Sequence, residues 1–201
     1  PRSISAMLSG ARKKIMEIME IMKIKEIPMR EYEFELLFKV NSSEEMNVLI
    51  DRLYEAGCDD ALIGSGKSGV IGLSFTREAA SAAEAFESAI KDVKKAIPTA
   101  SLMEAKPDFA GVTDIAETIG CSRQNVLKIF ASTEAPMPIH SGNTSLWHLS
   151  EALKWLNDGK RAERYNIPEW KIDVATIAKE INFAVEAMRM PVHTSIKQLL
   201  A

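Results

Sequence analysis

Arg123, Gln124, Asn125 and Lys128 crowd the start of a short apolar-periodic stretch, and their side chains suit the edges and backbone of a base pair. Arginine can bond guanine, and glutamine or asparagine adenine, through two parallel hydrogen bonds; lysine neutralises phosphate as a point charge. Ser122, just before them, is a good N-cap, because its hydroxyl can accept from unpaired N–H groups of the next turn. Val126, Leu127 and Phe130 predict a buried stripe that leaves the polar residues facing outward. Upstream, Val112, Ile115, Ala116 and Ile119 fall at i, i+3, i+4, i+7, the spacing of one apolar helix face, and Gly120-Cys121 reads as a tight turn. A helix-turn-helix lays its second helix in the DNA major groove with its N-terminal residues at the base edges. Ser122, Arg123, Gln124, Asn125 and Lys128 are therefore the candidate base-proximal contacts.

Two short helices around a glycine turn also occur in ordinary all-α cores, so the following residues matter. Ala135-Pro136-Met137-Pro138 should stop the second helix, since proline lacks the amide donor and biases its predecessor away from helix. His140-Ser141-Gly142-Asn143-Thr144 is a polar turn between Ile139 and Leu146-Trp147, which predicts a small hairpin or wing over 139–146. His140, Ser141, Asn143 and Thr144 are its candidate DNA contacts. Leu149, Leu153 and Leu156, with Ala152 and Trp155, supply a closing helix. The plan over 108–160 is that of a winged helix-turn-helix domain.

At these residues the chain resembles a family. The order TDIAETIGCSRQNVLKI, the PMP step, SLWHL and ALKWL is similar to the AlpA/excisionase-type branch of the MerR-like helix-turn-helix superfamily. It looks closest to bacterial proteins in which this domain follows an α+β domain that begins much like YEFELLFKV and contains EAGCDD. The resemblance spans about Tyr32 to Leu156. It implies sequence-specific DNA binding and control of transcription or recombination, with base contacts at Ser122, Arg123, Gln124, Asn125 and Lys128 and wing contacts between His140 and Thr144. The paired aromatics that follow the recognition helix in MerR proper are absent, so metal or drug sensing is not implied.

The elements that must hold this site alternate readably. Phe34, Leu36 and Phe38 mark a strand, Ser42-Ser43-Glu44-Glu45 a helix start, and Met46, Leu49, Ile50 and Leu53 a helix stopped by Gly57. Short strands follow at Asp60–Ile63 and Val70–Phe75, then a helix from Ser81 to Ile97 and a last strand at Ala100–Ala105. The order β-α-β-β-α-β predicts a ferredoxin-like α+β domain over 31–107. Residues 1–30 carry an apolar helical pattern that either needs a partner or is an extension ahead of a start near Met29. Residues 161–201 look helical. There Val174, Ala178, Ile181, Val185 and Met188 repeat at 4, 3, 4, 3, which suits a coiled-coil seam or packing on the chain's own body.

Charge argues for restraint. Residues 1–30 hold seven Lys and Arg against three acids, 31–108 eight against fifteen, and 109–165 six against six, within a net −3 for 201 residues. DNA-binding domains are usually basic, because phosphate neutralisation releases counterions. Lys128, Lys160, Arg161 and Arg164, with Arg12-Lys13-Lys14, are the cations that would have to share a face. Modest, salt-sensitive binding by a monomer and tight binding by a homo-oligomer are expected, with double-stranded DNA as partner. The α+β domain would take a protein partner or a small-molecule effector. A protein-interaction adaptor or antitoxin-like subunit with a structural helix-turn-helix is the alternative.

Other motifs are weaker. Ala61–Ser68 imitates a phosphate loop, but Ala61 stands where glycine is needed and a strand-like run follows Lys67-Ser68, so a hairpin is expected. His140, His148 and His193 are scattered, with no Cys or carboxylate at ligand spacing, and no metal or other cofactor is expected. Asp59-Asp60 reads as a solvated turn, and Trp147 and Trp155 as core. Nothing points to an enzyme. Two cysteines without metal or disulfide spacing suit a cytoplasmic chain, and no run approaches the roughly 20 apolar residues of a membrane span.

Overall fold

The computed structural model describes residues 29–40, 45–67 and 69–190. The helix expected within 1–30, the Ser42-Ser43-Glu44 start signal and the tail after Met190 lie outside them. The protein is α+β. Four strands, β1 (Arg30–Lys39), β2 (Ala61–Lys67), β3 (Val70–Ala79) and β4 (Ser101–Lys106), form one sheet in the order β2-β3-β1-β4, with every neighbouring pair antiparallel. Helices α1 (Met46–Ala56) and α2 (Ala82–Ala96) join β1 to β2 and β3 to β4. Phe34, Leu36 and Phe38 alternate inward with Leu73 and Phe75 from β3, and Leu49, Leu53, Phe86 and Val93 cover them from the helices. One face of the sheet thus carries the core, as a period-two pattern requires.

Local signals explain the ends. Gly57 takes φ +113° after α1, a left-handed backbone that closes the helix while the Cys58 N–H returns to the Leu53 carbonyl at 3.0 Å. Ser81 caps α2 by accepting the Glu84 N–H at 3.2 Å, and the Glu84 carboxylate accepts the Ala80 N–H at 3.1 Å. The run that imitates a phosphate loop is strand over Ala61–Lys67, paired with β3.

Two outcomes differ from expectation. β3 runs on to Ala79, beyond Phe75. Its inward positions there are Arg77 and Ala79, and the charged Arg77 breaks the apolar alternation that a strand pattern relies on. Asp60 is not a solvated turn residue. It grips buried Arg77 through both oxygens (Nε–Oδ2 2.7 Å, Nη2–Oδ1 2.9 Å). Asp92 takes Nη1 at 2.7 Å, the Gly57 carbonyl takes Nη2 at 2.7 Å, and the guanidinium lies 4.9 Å from the Phe75 ring centroid. Burial alone would lower the guanidinium pKa, but the hydrogen bonds from Asp60 and Asp92 outweigh it and hold it above its ordinary value.

After β4 a strand pair, β5 (Phe109–Ala110) with β6 (Trp147–His148), frames a second hydrophobic cluster. Around it lie α3 (Val112–Ile119), α4 (Arg123–Phe130), α5 (Leu149–Leu156) and α6 (Gly159–Tyr165). The long α7 (Glu169–Arg189) belongs to both clusters. Val174 and Ala178 enter the sheet core, while Ile172 and Ala175 enter the second. The first positions of the heptad-like seam are therefore occupied within the chain.

Candidate nucleic-acid interface

Ile115 and Ala116 bury α3 against the second cluster, with Val112 and Ile119 packed beside them. Gly120 then adopts φ +67°, which turns the chain, and the Cys121 N–H closes on the Ala116 carbonyl at 2.9 Å. Ser122 caps α4, accepting the Asn125 N–H at 3.2 Å. Within α4, Val126 is fully buried, and Ile129 and Phe130 pack on the cluster. The Phe130 ring meets Trp147 and Trp155 edge-on, both at 5.3 Å between centroids. Trp147 is also tied by its Nε1–H to the Pro136 carbonyl at 2.9 Å, so both tryptophans serve packing.

The opposite side of α4 is open. Arg123, Gln124 and Lys128 are exposed, as is Ser122, and Asn125 is half-buried. Leu127, expected in the buried stripe, is instead 55% exposed. It sits four residues after Arg123 and three after Gln124, so the helical repeat assigns it to their face and leaves the core to Val126, Ile129 and Phe130.

α4 ends at Phe130, as the run 122–130 predicts, and the prolines follow a few residues on. The Ser132 hydroxyl accepts the Glu134 N–H at 3.3 Å, a local turn that competes with continued helix. Beyond it, His140 and Leu146 form a bridge: the Leu146 N–H donates to the His140 carbonyl at 3.0 Å and the Ile139 N–H to the Leu146 carbonyl at 2.8 Å. His140, Ser141, Asn143 and Thr144 are all exposed on this turn. A Cβ at Gly142 would stand 2.7 Å from His140 Nε2, so a side chain there would displace the exposed imidazole.

Of the other cations, Lys160 and Arg164 are exposed. Arg161 is committed elsewhere: its Nε donates to the Trp155 carbonyl at 2.9 Å and its guanidinium covers the Trp155 ring at 4.3 Å. It fastens α6 to α5 and is a poor phosphate contact.

One cluster escaped the sequence reading. The sequence offers no sign of a partner for His148 in Asp108, forty residues away, yet the fold brings that carboxylate to 2.7 Å from its Nδ1. Asp108 is almost wholly buried, its other oxygen accepts from Asn182 Nδ2 at 2.9 Å, and its carbonyl accepts the Leu149 N–H at 2.7 Å. The signal that could have found it is a charged residue set among the apolar ones leading into β5.

Among the described residues no group of three or more His, Cys, Asp or Glu could hold a metal, and no helix is long and apolar enough to cross a membrane. No family model, curated protein or solved structure matches the chain.

Proposed function

We propose that this chain is a sequence-specific DNA-binding protein of the AlpA/excisionase type, acting as a transcriptional regulator that reads the major groove with α4 and adds backbone contacts from the turn at 139–146. In this reading residues 108–160 form a winged helix-turn-helix and residues 31–107 a ferredoxin-like sandwich, which the strand order β2-β3-β1-β4 supports. The observation that carries the proposal is the exposed face of α4. Arg123, Gln124, Leu127 and Lys128 stand at i, i+1, i+4 and i+5, on one side of a helix whose other side is held by Val126, Ile129 and Phe130.

Each has a role at a base pair. Arg123 and Gln124, in the first turn, suit guanine and adenine edges, and Leu127 offers apolar contact to a thymine methyl. Lys128, one turn further on, suits phosphate. Ser122 spends its lone pair on the cap, but its hydroxyl proton can still be donated. With Arg161 committed to Trp155, few cations remain for phosphate, so a single chain binds weakly and paired chains bind tightly.

Selection of bound duplexes from a random pool with the full chain, followed by titration at several salt concentrations, tests this. One enriched motif with salt-dependent affinity is expected. No retention of DNA at low salt would remove the proposal in favour of a protein-interaction adaptor.

A further inference from the structure

A cavity of about 450 Å³ opens where β1, β4, β5, β6 and α7 meet. Leu37, Met103, Phe109 and Phe183 supply its apolar walls, and His148, Glu104, Lys179 and Glu186 are among its polar groups. We propose that this cavity binds a small, flat, uncharged aromatic molecule bearing an N–H or O–H donor, which lies against Phe109 and Phe183 and donates to His148 Nε2.

Three observations converge. First, Phe109 is 50% and Phe183 77% exposed, on opposite elements lining one hollow. Two aromatic faces held in water beside Leu37 and Met103 gain most from a ring of matching shape. The volume suits a ligand of one or two rings.

Second, the imidazole is oriented from behind. Asn182 Nδ2 can only donate, so it fixes Asp108 Oδ2 as an acceptor, and the buried carboxylate takes the Nδ1–H of His148 on Oδ1. A hydrogen on Nδ1 leaves Nε2 of the neutral ring as an acceptor. Among the described residues Nε2 has no hydrogen-bond partner.

Third, the charges select against an anion. Lys179 is paired with Glu151, and Glu186 with Arg189. Glu104 has no ion-pair partner among the described residues, so the unpaired charge on the wall is a carboxylate. A ligand with a donor for His148 is favoured, and a carboxylate would meet Glu104 unfavourably.

Binding of indole, phenol and benzoate to the full chain, measured by ligand-observed NMR and calorimetry, tests this without reference to DNA. Indole and phenol bind at millimolar concentration or below, and benzoate more weakly than either. His148→Phe, which keeps a ring and removes the acceptor, weakens indole by roughly three- to tenfold, the worth of one neutral hydrogen bond. Phe183→Ala, at a surface position where the fold is not at risk, weakens it by roughly threefold or more. If neither indole nor phenol binds, if benzoate binds best, or if both variants bind indole as the parent does, the proposal is overturned. Circular dichroism of each variant separates lost binding from lost folding.

Discussion

Asn182 on α7 holds the Ala105 backbone by both of its polar groups: Oδ1 accepts the Ala105 N–H at 2.7 Å and Nδ2 donates to the Ala105 carbonyl at 2.8 Å. β4 is an edge strand, and the outward groups of such a strand need a partner. A side-chain amide presents an N–H beside a C=O much as a peptide does, so Asn182 acts as a single further rung of the ladder, with its second N–H left for Asp108. Arg189 Nη2 adds a bond to the Leu102 carbonyl at 3.2 Å along the same edge.

Asn182→Leu fills the space but strips partners from two backbone groups and one oxygen of Asp108. A loss of about 3 kcal/mol is expected, since each buried group left unmet costs roughly 1–3 kcal/mol. Urea unfolding should show a lower midpoint with an unchanged slope. A shift under a fifth of that size would mean water replaces the amide.

Arg77 should be as intolerant. Arg77→Met removes the cation that Asp60 and Asp92 both hold, and a cost of about 3–5 kcal/mol is expected for breaking such a pair. Arg77→Lys should rescue little of it, because a point charge cannot serve Asp60 through two nitrogens while also reaching Asp92 and the Gly57 carbonyl. Thermal melts of the two variants check this.

Those two sites show why part of the fold was legible and part was not. The β-α-β-β-α-β order follows from the Phe34-Leu36-Phe38 alternation, the Ser81 cap and the stop at Gly57, all local patterns. Arg77 interrupts the alternation of β3, so the strand's second half was missed. Leu127 was assigned inward because an isolated leucine in a helix is usually core, yet Val126 and Phe130 already fill that side. The Asp108, His148 and Asn182 contacts span more than seventy residues at their widest and leave no spacing to read.

Arg123→Ala and Gln124→Ala should each cost about 1–3 kcal/mol of DNA affinity and relax preference at one base pair. Lys128→Ala should weaken all sequences alike and reduce the salt slope by about 1. Fluorescence anisotropy at several salt concentrations separates the two patterns. Unchanged binding in all three would discard the assignment of α4.

The two thiols should differ sharply. Cys58 is buried, and burial first, with Asp92 nearby second, pushes its thiol up to about 11 from its ordinary 9.0. Iodoacetamide should label half-buried Cys121 well before Cys58 in the native chain. The unfolded chain loses the Cys58 proton near 9.0 while the folded chain keeps it to about 11. Stability therefore falls as pH rises through that window, by roughly 3 kcal/mol in all, and this thiol adds no pH dependence below it. Cys58→Ala should flatten that decline in alkaline urea titrations.

Helix α7 sends Val174 and Ala178 one way and Ile172 and Ala175 the other within a few residues, so neither hydrophobic cluster closes without it. A part so shared leaves no slack between the sheet and the α4 surface. Were two copies to grip neighbouring half-sites, the distance between their α4 helices would be set by the joint between the copies, as on a ruler. Inserting a few base pairs between the half-sites would then throw the pair out of phase with the duplex.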